Sequence, residues 1–178
     1  MSVEQQAEPV NRAAGVVTSL VVVGSAAVFL LALAGLGNAW LSHARMPGIL
    51  KNGAVVVHLT TVFIALPLGL SQLVLPKGTL RHRTIGYIWC ALMVVTALVS
   101  FAVNTLTPQL PFSPIHVLSA LTLVTIPWII YAARTHRVAQ HQRAVLFLML
   151  GGLVVAGLFT FLPSRALGQL VFRLFGVH

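Results

Sequence analysis

The sequence predicts an all-α, polytopic membrane protein. It has five transmembrane helices, a four-helix core bundle made by spans two to five, and a C-terminal interfacial helix. Three observations carry this. The chain is 58% hydrophobic and 7% charged, with a mean hydropathy of +0.96, so it lacks the polar surface needed to cover a soluble domain. Its apolar residues fall in runs of about twenty, the length that crosses a bilayer as a helix. Its basic residues lie outside those runs, in the turns between them and in the two tails.

The elements follow in order. Residues 1–14 are a polar tail without the basic n-region of a signal peptide. The first span is expected from Gly15 to Trp40, long enough to cross with tilt. The connector LSHARMPGILKN carries His43, Arg45 and Lys51. Span two runs from about Gly53 to Leu75 and contains Pro67, whose missing N–H frees a carbonyl and kinks a helix. The basic turn PKGTLRHR leads into span three, from about Thr84 to Leu106. Ser113 as N-cap and Pro114 at the first helical position start span four, which ends near Ala133. A second basic turn, ARTHRVAQHQRA, precedes span five, from Ala144 to Leu162, where Gly151 and Gly152 permit a close helix contact. The stretch 15–162 forms one transmembrane domain.

The tail 163–178 is too short to cross again. Leu167, Leu170, Val171, Leu174 and Phe175 share one helical face and Arg165, Gln169 and Arg173 another, the pattern of an amphipathic helix in the interface.

Charge sets the orientation. Arg12, Lys77, Arg81, Arg83, Arg134, Arg137 and Arg143 fall on one side of the threaded chain; Arg45, Lys51, Arg165 and Arg173 fall on the other. The richer side is expected in the cytoplasm of a bacterial inner membrane, with the N-terminus cytoplasmic and the C-terminus periplasmic. The net charge of +9 is better matched to anionic lipid than to nucleic acid, because it is dispersed over short interhelical turns.

The acids exclude more than they offer. Glu4 and Glu8 are the only carboxylate side chains, so no span contains a carboxylate relay, an acid pair or a carboxylate metal cage. Cys90 is the single cysteine, which rules out a disulfide framework and a multi-thiolate metal site.

The candidate chemistry lies in four histidines. His58, in the first turns of span two, and His116, at the start of span four, belong to one membrane face. His82, opening span three, and His141, just ahead of span five, belong to the other. In an up-down bundle spans two and four face across the core, as do three and five. Roughly 24 Å of helix separates His58 from the end of its span, and roughly 23 Å separates His116 from the end of its own, so the two share a depth. Neutral imidazole is a good axial ligand for heme iron, and a heme between facing helices takes one from each. The expected cofactor is therefore heme b, one or two copies, with His58 and His116, and His82 and His141, as iron ligands. Two irons would lie on the order of 20 Å apart.

Span two adds the small-residue stripe His58, Thr61, Ala65, Gly69, Gln72, with room for a flat group and an amide at its end. Arg81, Arg83, Arg137 and Arg143 stand where heme propionates would be paired. An ordinary reading stands beside this one: a histidine at a helix end in a basic turn is usually interfacial and water-facing. His43, His136 and His178 are read as solvated. Gln72 and Asn104 also suit plain helix–helix hydrogen bonds. Trp40, Trp89, Trp128, Tyr87 and Tyr131 fit interfacial belts, and Met93 and Met149 fit packing.

His58, GLSQL (Gly69 to Leu73), HRTIGY (His82 to Tyr87) and HQRAVL from His141 occur in an order that resembles a bacterial family of predicted membrane proteins with a domain of unknown function. The resemblance covers spans two to five. Its most specific element is HR-x-x-G, here His82, Arg83 and Gly86. Where that family often has a proline after the span-two glycine this chain has Leu70, and where it often has Trp-Met this chain has Ala144 and Val145. That resemblance implies no activity. In architecture alone, the sidedness of the four histidines is similar to the diheme, ascorbate-reducible b-type cytochromes, which implies histidine pairs on facing helices. There both histidines of the basic face would sit at the very ends of their spans, making that heme the more superficial.

Two functions follow from different classes. One is a b-type cytochrome-like carrier of electrons across the bilayer, exchanging with a quinone. The other is a non-redox accessory or structural subunit packed against other membrane subunits. The topology itself is testable: in a background lacking Cys90, Lys77→Cys should react with impermeant thiol reagent only from the cytoplasmic side, and Gln109→Cys only from the opposite side. Reaction of Lys77→Cys from outside alone would invert the orientation.

Overall fold

The computed structural model describes residues 15–16, 18–27, 29–35, 52–103, 114–162, 168–169 and 171–172. Five helices among the described residues are long and apolar enough to cross a membrane: α1 (Thr18–Gly35), α2 (Gly53–Val74), α3 (Leu80–Ser100), α4 (Pro114–Arg134, its apolar stretch His116–Arg134) and a fifth rod, Val138–Thr160. The rod comprises α5 (Val138–Leu148), a π-helical segment (Met149–Val155) and α6 (Ala156–Thr160). No strand occurs among the described residues.

Local chemistry sets the helix ends. Asn52 caps α2 by accepting from the Ala54 N–H at 3.0 Å. The turn after α2 uses Gly78 at φ 77°, a left-handed conformation that glycine adopts without a Cβ penalty. Thr79 caps α3 by accepting from the His82 N–H at 3.2 Å. Helix α4 begins at Pro114, as the sequence predicts, and contains a second proline, Pro127, that the sequence reading did not single out.

Three boundaries differ clearly from expectation. Helix α3 starts at Leu80 rather than Thr84 and ends at Ser100 rather than near Leu106, and the fifth rod starts at Val138 rather than Ala144. At the two starts the polar first turn is helical. Arginine and glutamine are good helix formers, and an interfacial turn keeps its charged heads in water. His82 and His141 therefore lie inside helices, in the first turn or just beyond, rather than in the flanking turns.

Packing is antiparallel between sequence neighbours. Thr61 meets Thr96 across α2 and α3, with hydroxyl oxygens 2.7 Å apart, and His58 reaches Ser100 at the far end of the same pair. Between α3 and α4, Phe101 stacks on His116. Between α4 and α5, the His141 ring reaches the Ile129 carbonyl. Helix α3 and the fifth rod run parallel: His82 faces His141 at one end, and Met93 lies near Gly152 further along. Helix α1 rests on the outside of this bundle, with Gly24 against Val154 and Phe29 against Phe63.

Between the described spanning helices, the tightest glycine contact is at Gly69. A Cβ there would lie 2.6 Å from Met149 Sδ and 2.7 Å from Trp89 Nε1, so α2, α3 and the fifth rod converge on one glycine. Around it lies the core of Ala65, Leu66, Trp89, Cys90, Met93, Leu148 and Met149, all buried. This changes two readings. The space beside Gly69 is filled by side chains rather than left for a flat group, and Trp89, at 2% exposure, is a core residue rather than part of an interfacial belt. Met93 and Met149 are packing residues as expected. Tyr87, Trp128 and Tyr131 are exposed on the outer surface, among many exposed apolar side chains that suit lipid.

Of the C-terminal helix, Val171 is buried and Gln169 exposed, in line with the expected faces. Arg165, Leu167, Leu170, Arg173, Leu174 and Phe175 lie outside the described residues, as do the N-terminal tail, Trp40, His43, Asn104, Ser113 and His178.

Overpacking at the convergence point should be costly. Gly69→Ala is expected to destabilise the protein by about 1–3 kcal/mol, seen as a lower thermal unfolding midpoint in detergent. Gly86→Ala, whose Cβ would come no closer than 3.4 Å to Gln72 Oε1, should change the midpoint less.

Candidate functional site

The turns at 75–79 and 135–137 stand at one end of the bundle, the basic end; Ser100 and the start of α4 stand at the other, the far end. Along α3, His82 and Ser100 are separated by about 27 Å of helix rise.

At the basic end the structure brings His82 and His141 together. Their ring centres are 6.4 Å apart and their planes lie at 73°. The His141 Nδ1 is 3.0 Å from the Ile129 carbonyl oxygen. A carbonyl only accepts, so this Nδ1 carries the proton and Nε2 keeps its lone pair. Such a backbone partner is what fixes the tautomer and orientation of a metal-binding imidazole. His82 has no such partner: its Nδ1 is buried and unbonded among the described residues.

Two further buried polar atoms share that condition in this half of the bundle, Gln72 Nε2 and Trp89 Nε1. His82, Gly86 and Trp89 recur at helical spacing on one face of α3, and Gly69 and Gln72 on the opposed face of α2. Buried donors without acceptors are rare in folded proteins and costly. Arg81, Arg83 and Arg143 surround the pair with exposed side chains. Arg137 lies over the Tyr131 ring at 5.4 Å instead. His136 is exposed, as expected of a solvated residue.

At the far end His58 and His116 converge on adjacent residues at the close of α3, its last residue Ser100 and the following Phe101. The His58 Nδ1 is 3.4 Å from Ser100 Oγ, and His116, 6% exposed, stacks on Phe101 with ring centres 5.5 Å apart and planes 9° from parallel. The shared depth inferred from helix lengths is thus matched by neighbouring partners. Beside His58 lies a cavity of about 120 Å³, reaching inward as far as Leu66 and Met93 and edged by Thr96, Ser100, Ser119 and Thr122. Sequence reading missed these hydroxyls. The signal was present: Thr96 and Ser100 are four apart, Ser119 and Thr122 three apart, so each pair faces one way from its helix.

No cluster of three or more His, Cys, Asp or Glu that could hold a metal ion occurs among the described residues.

The family described as "Predicted membrane protein (DUF2306)" matches residues 55–150, from the first turn of α2 into the fifth rod. The chain belongs to this family. The matched span includes all four histidines and both basic turns of this DUF2306 protein. None of the curated proteins and none of the solved structures matches it.

Proposed function

We propose that this DUF2306 protein is a b-type cytochrome-like electron carrier that holds a heme between His82 and His141 at its basic end. The observation that carries this reading is the spacing of the two rings. His82 and His141 would hold the group between them: their ring centres stand 6.4 Å apart on parallel helices, close enough for both imidazoles to reach one metal atom. The Ile129 carbonyl holds His141 in the tautomer that presents Nε2. Arg81, Arg83 and Arg143 are placed to receive carboxylates, which the chain itself lacks beyond Glu8. Gln72 and Trp89 supply buried N–H groups that await an acceptor. When bound, the heme supplies one-electron redox chemistry; the chain's own residues bind it, orient it and shield it from water.

The far-end pair receives no second heme in this reading. The cavity beside His58, at about 120 Å³, is below the roughly 300–1,000 Å³ of an organic-ligand pocket. The basic end faces the cytoplasm of a bacterial inner membrane, by its excess of Lys and Arg. A lipid-soluble quinone is the electron partner that the bilayer can deliver.

Protein purified from cells fed heme precursor should show a Soret band that shifts on reduction. His82→Ala and His141→Ala should each remove it, while His58→Ala and His116→Ala should retain it. A preparation without a Soret band would favour a non-redox accessory subunit, and loss of the band only in the His58 and His116 variants would move the heme to the far end.

A further inference from the structure

We infer that the far-end cavity is a water-filled chamber, with His58 as the group through which it exchanges protons with the aqueous phase on that side. The inference is independent of the heme reading at the basic end. Its starting point is the chemistry of the lining. The Ser100 hydroxyl donates to the Thr96 carbonyl at 2.7 Å, that of Thr122 to the Leu118 carbonyl at 2.9 Å and that of Thr160 to the Gly157 carbonyl at 2.6 Å. Thr96 spends its proton on either the Leu92 carbonyl or the Thr61 hydroxyl. Each O–H is committed within its own helix or to a neighbouring one, so these oxygens offer the cavity lone pairs rather than protons.

Most of the cavity wall is apolar, but the hydroxyls of Thr96, Ser100, Thr122 and Thr160 set acceptors into it, and acceptors take a donor. No carboxylate lines the cavity among the described residues, and a ligand that is neutral, small and rich in O–H suits these acceptors. Water meets all three conditions. At about 30 Å³ for each molecule in the liquid, the cavity admits several, and its hydroxyls provide the two to four polar partners that a buried water requires. Polar side chains in a membrane span are costly unless they face such a water-filled space or one another. His58 is the one titratable residue in the lining among the described residues. It is partly exposed, and its Nδ1 approaches Ser100, which links the chamber to the surface. Inward the chamber stops at Leu66 and Met93, backed by the buried Leu148 and Met149. It is a dead-end vestibule from the far side rather than a pore.

Hydroxyl-radical footprinting of the unmodified protein in detergent tests this, because radicals form from bound water. Met93 and Met149 are both buried, at 3% and 0% exposure, so bulk solvent reaches neither. Only Met93 lines the chamber. Met93 is expected to oxidise several-fold faster than Met149, and His58→Phe, which sets an apolar ring at the mouth, should bring Met93 down to the Met149 rate. Equal protection of the two methionines in the unmodified protein would overturn the hydrated chamber. Unchanged Met93 oxidation in His58→Phe would overturn the role of His58. Two hemes in the purified protein, one of them lost in His58→Ala, would show that a macrocycle fills the space instead. A missing Soret band would defeat the heme reading at the basic end and leave the Met93 result standing.

Discussion

The close approach at Gly69 is the constraint on which the rest of the structure depends. With Met149 Sδ and Trp89 Nε1 occupying the space a Cβ would need, α2, α3 and the fifth rod are locked together at one level. In a bilayer the association of helices is driven by packing and interhelical hydrogen bonds rather than by hydrophobic burial, so a glycine that lets backbones approach fixes the axial register. That register then acts at both ends. It sets His82 beside His141 on parallel helices and His58 beside Ser100 on antiparallel ones. A slide of one turn, about 5.4 Å, would separate both pairs.

The same packed layer divides the bundle. On the far side are hydroxyls, an imidazole and open volume; on the basic side are two imidazoles, unpaired donors and exposed arginines. Between them lie Leu66, Trp89, Cys90, Met93, Leu148 and Met149. Apart from the Trp89 N–H and the Cys90 thiol, the side chains of that layer offer water no polar partner. A molecule built this way keeps the polar groups of its two ends apart. The π-helical segment Met149–Val155 contributes to the division. Such segments insert a residue's worth of backbone into a helix and often occur at functional sites. Here one carries Met149 in the apolar layer and Gly152 at the chamber wall.

Charge imbalance explains the chemistry of the basic end. Eleven Lys and Arg face two Asp and Glu in the whole chain, and both acids precede the first span. The arginines around His82 and His141 thus have no carboxylate side chains nearby in sequence. Their partners are lipid headgroups, solvent or a ligand that brings its own negative charge. The buried N–H groups of Gln72 and Trp89 extend the same deficit of acceptors into the membrane.

Hydropathy and turn chemistry determined the span count, the helix starts at Gly53 and Pro114, and the assignment of the four histidines to two ends, because each depends only on local composition and on the fixed rise of a helix. The family resemblance was also legible, in the order of His58, GLSQL, HRTIGY and HQRAVL. Tertiary structure decided what each residue meets. It drew His82 and His141 one turn into their helices, where the sequence had suggested span termini. It took Trp89 from an expected interfacial belt into the core. It closed the space at Gly69 that the small-residue stripe had seemed to leave open, and it gathered Thr96, Ser100, Ser119 and Thr122 from two helices around one cavity. The physical reason is that a helix's sequence fixes which residues share a face, whereas the rotation and axial offset of its neighbours decide what that face touches, and those are set by long-range contacts such as the one at Gly69.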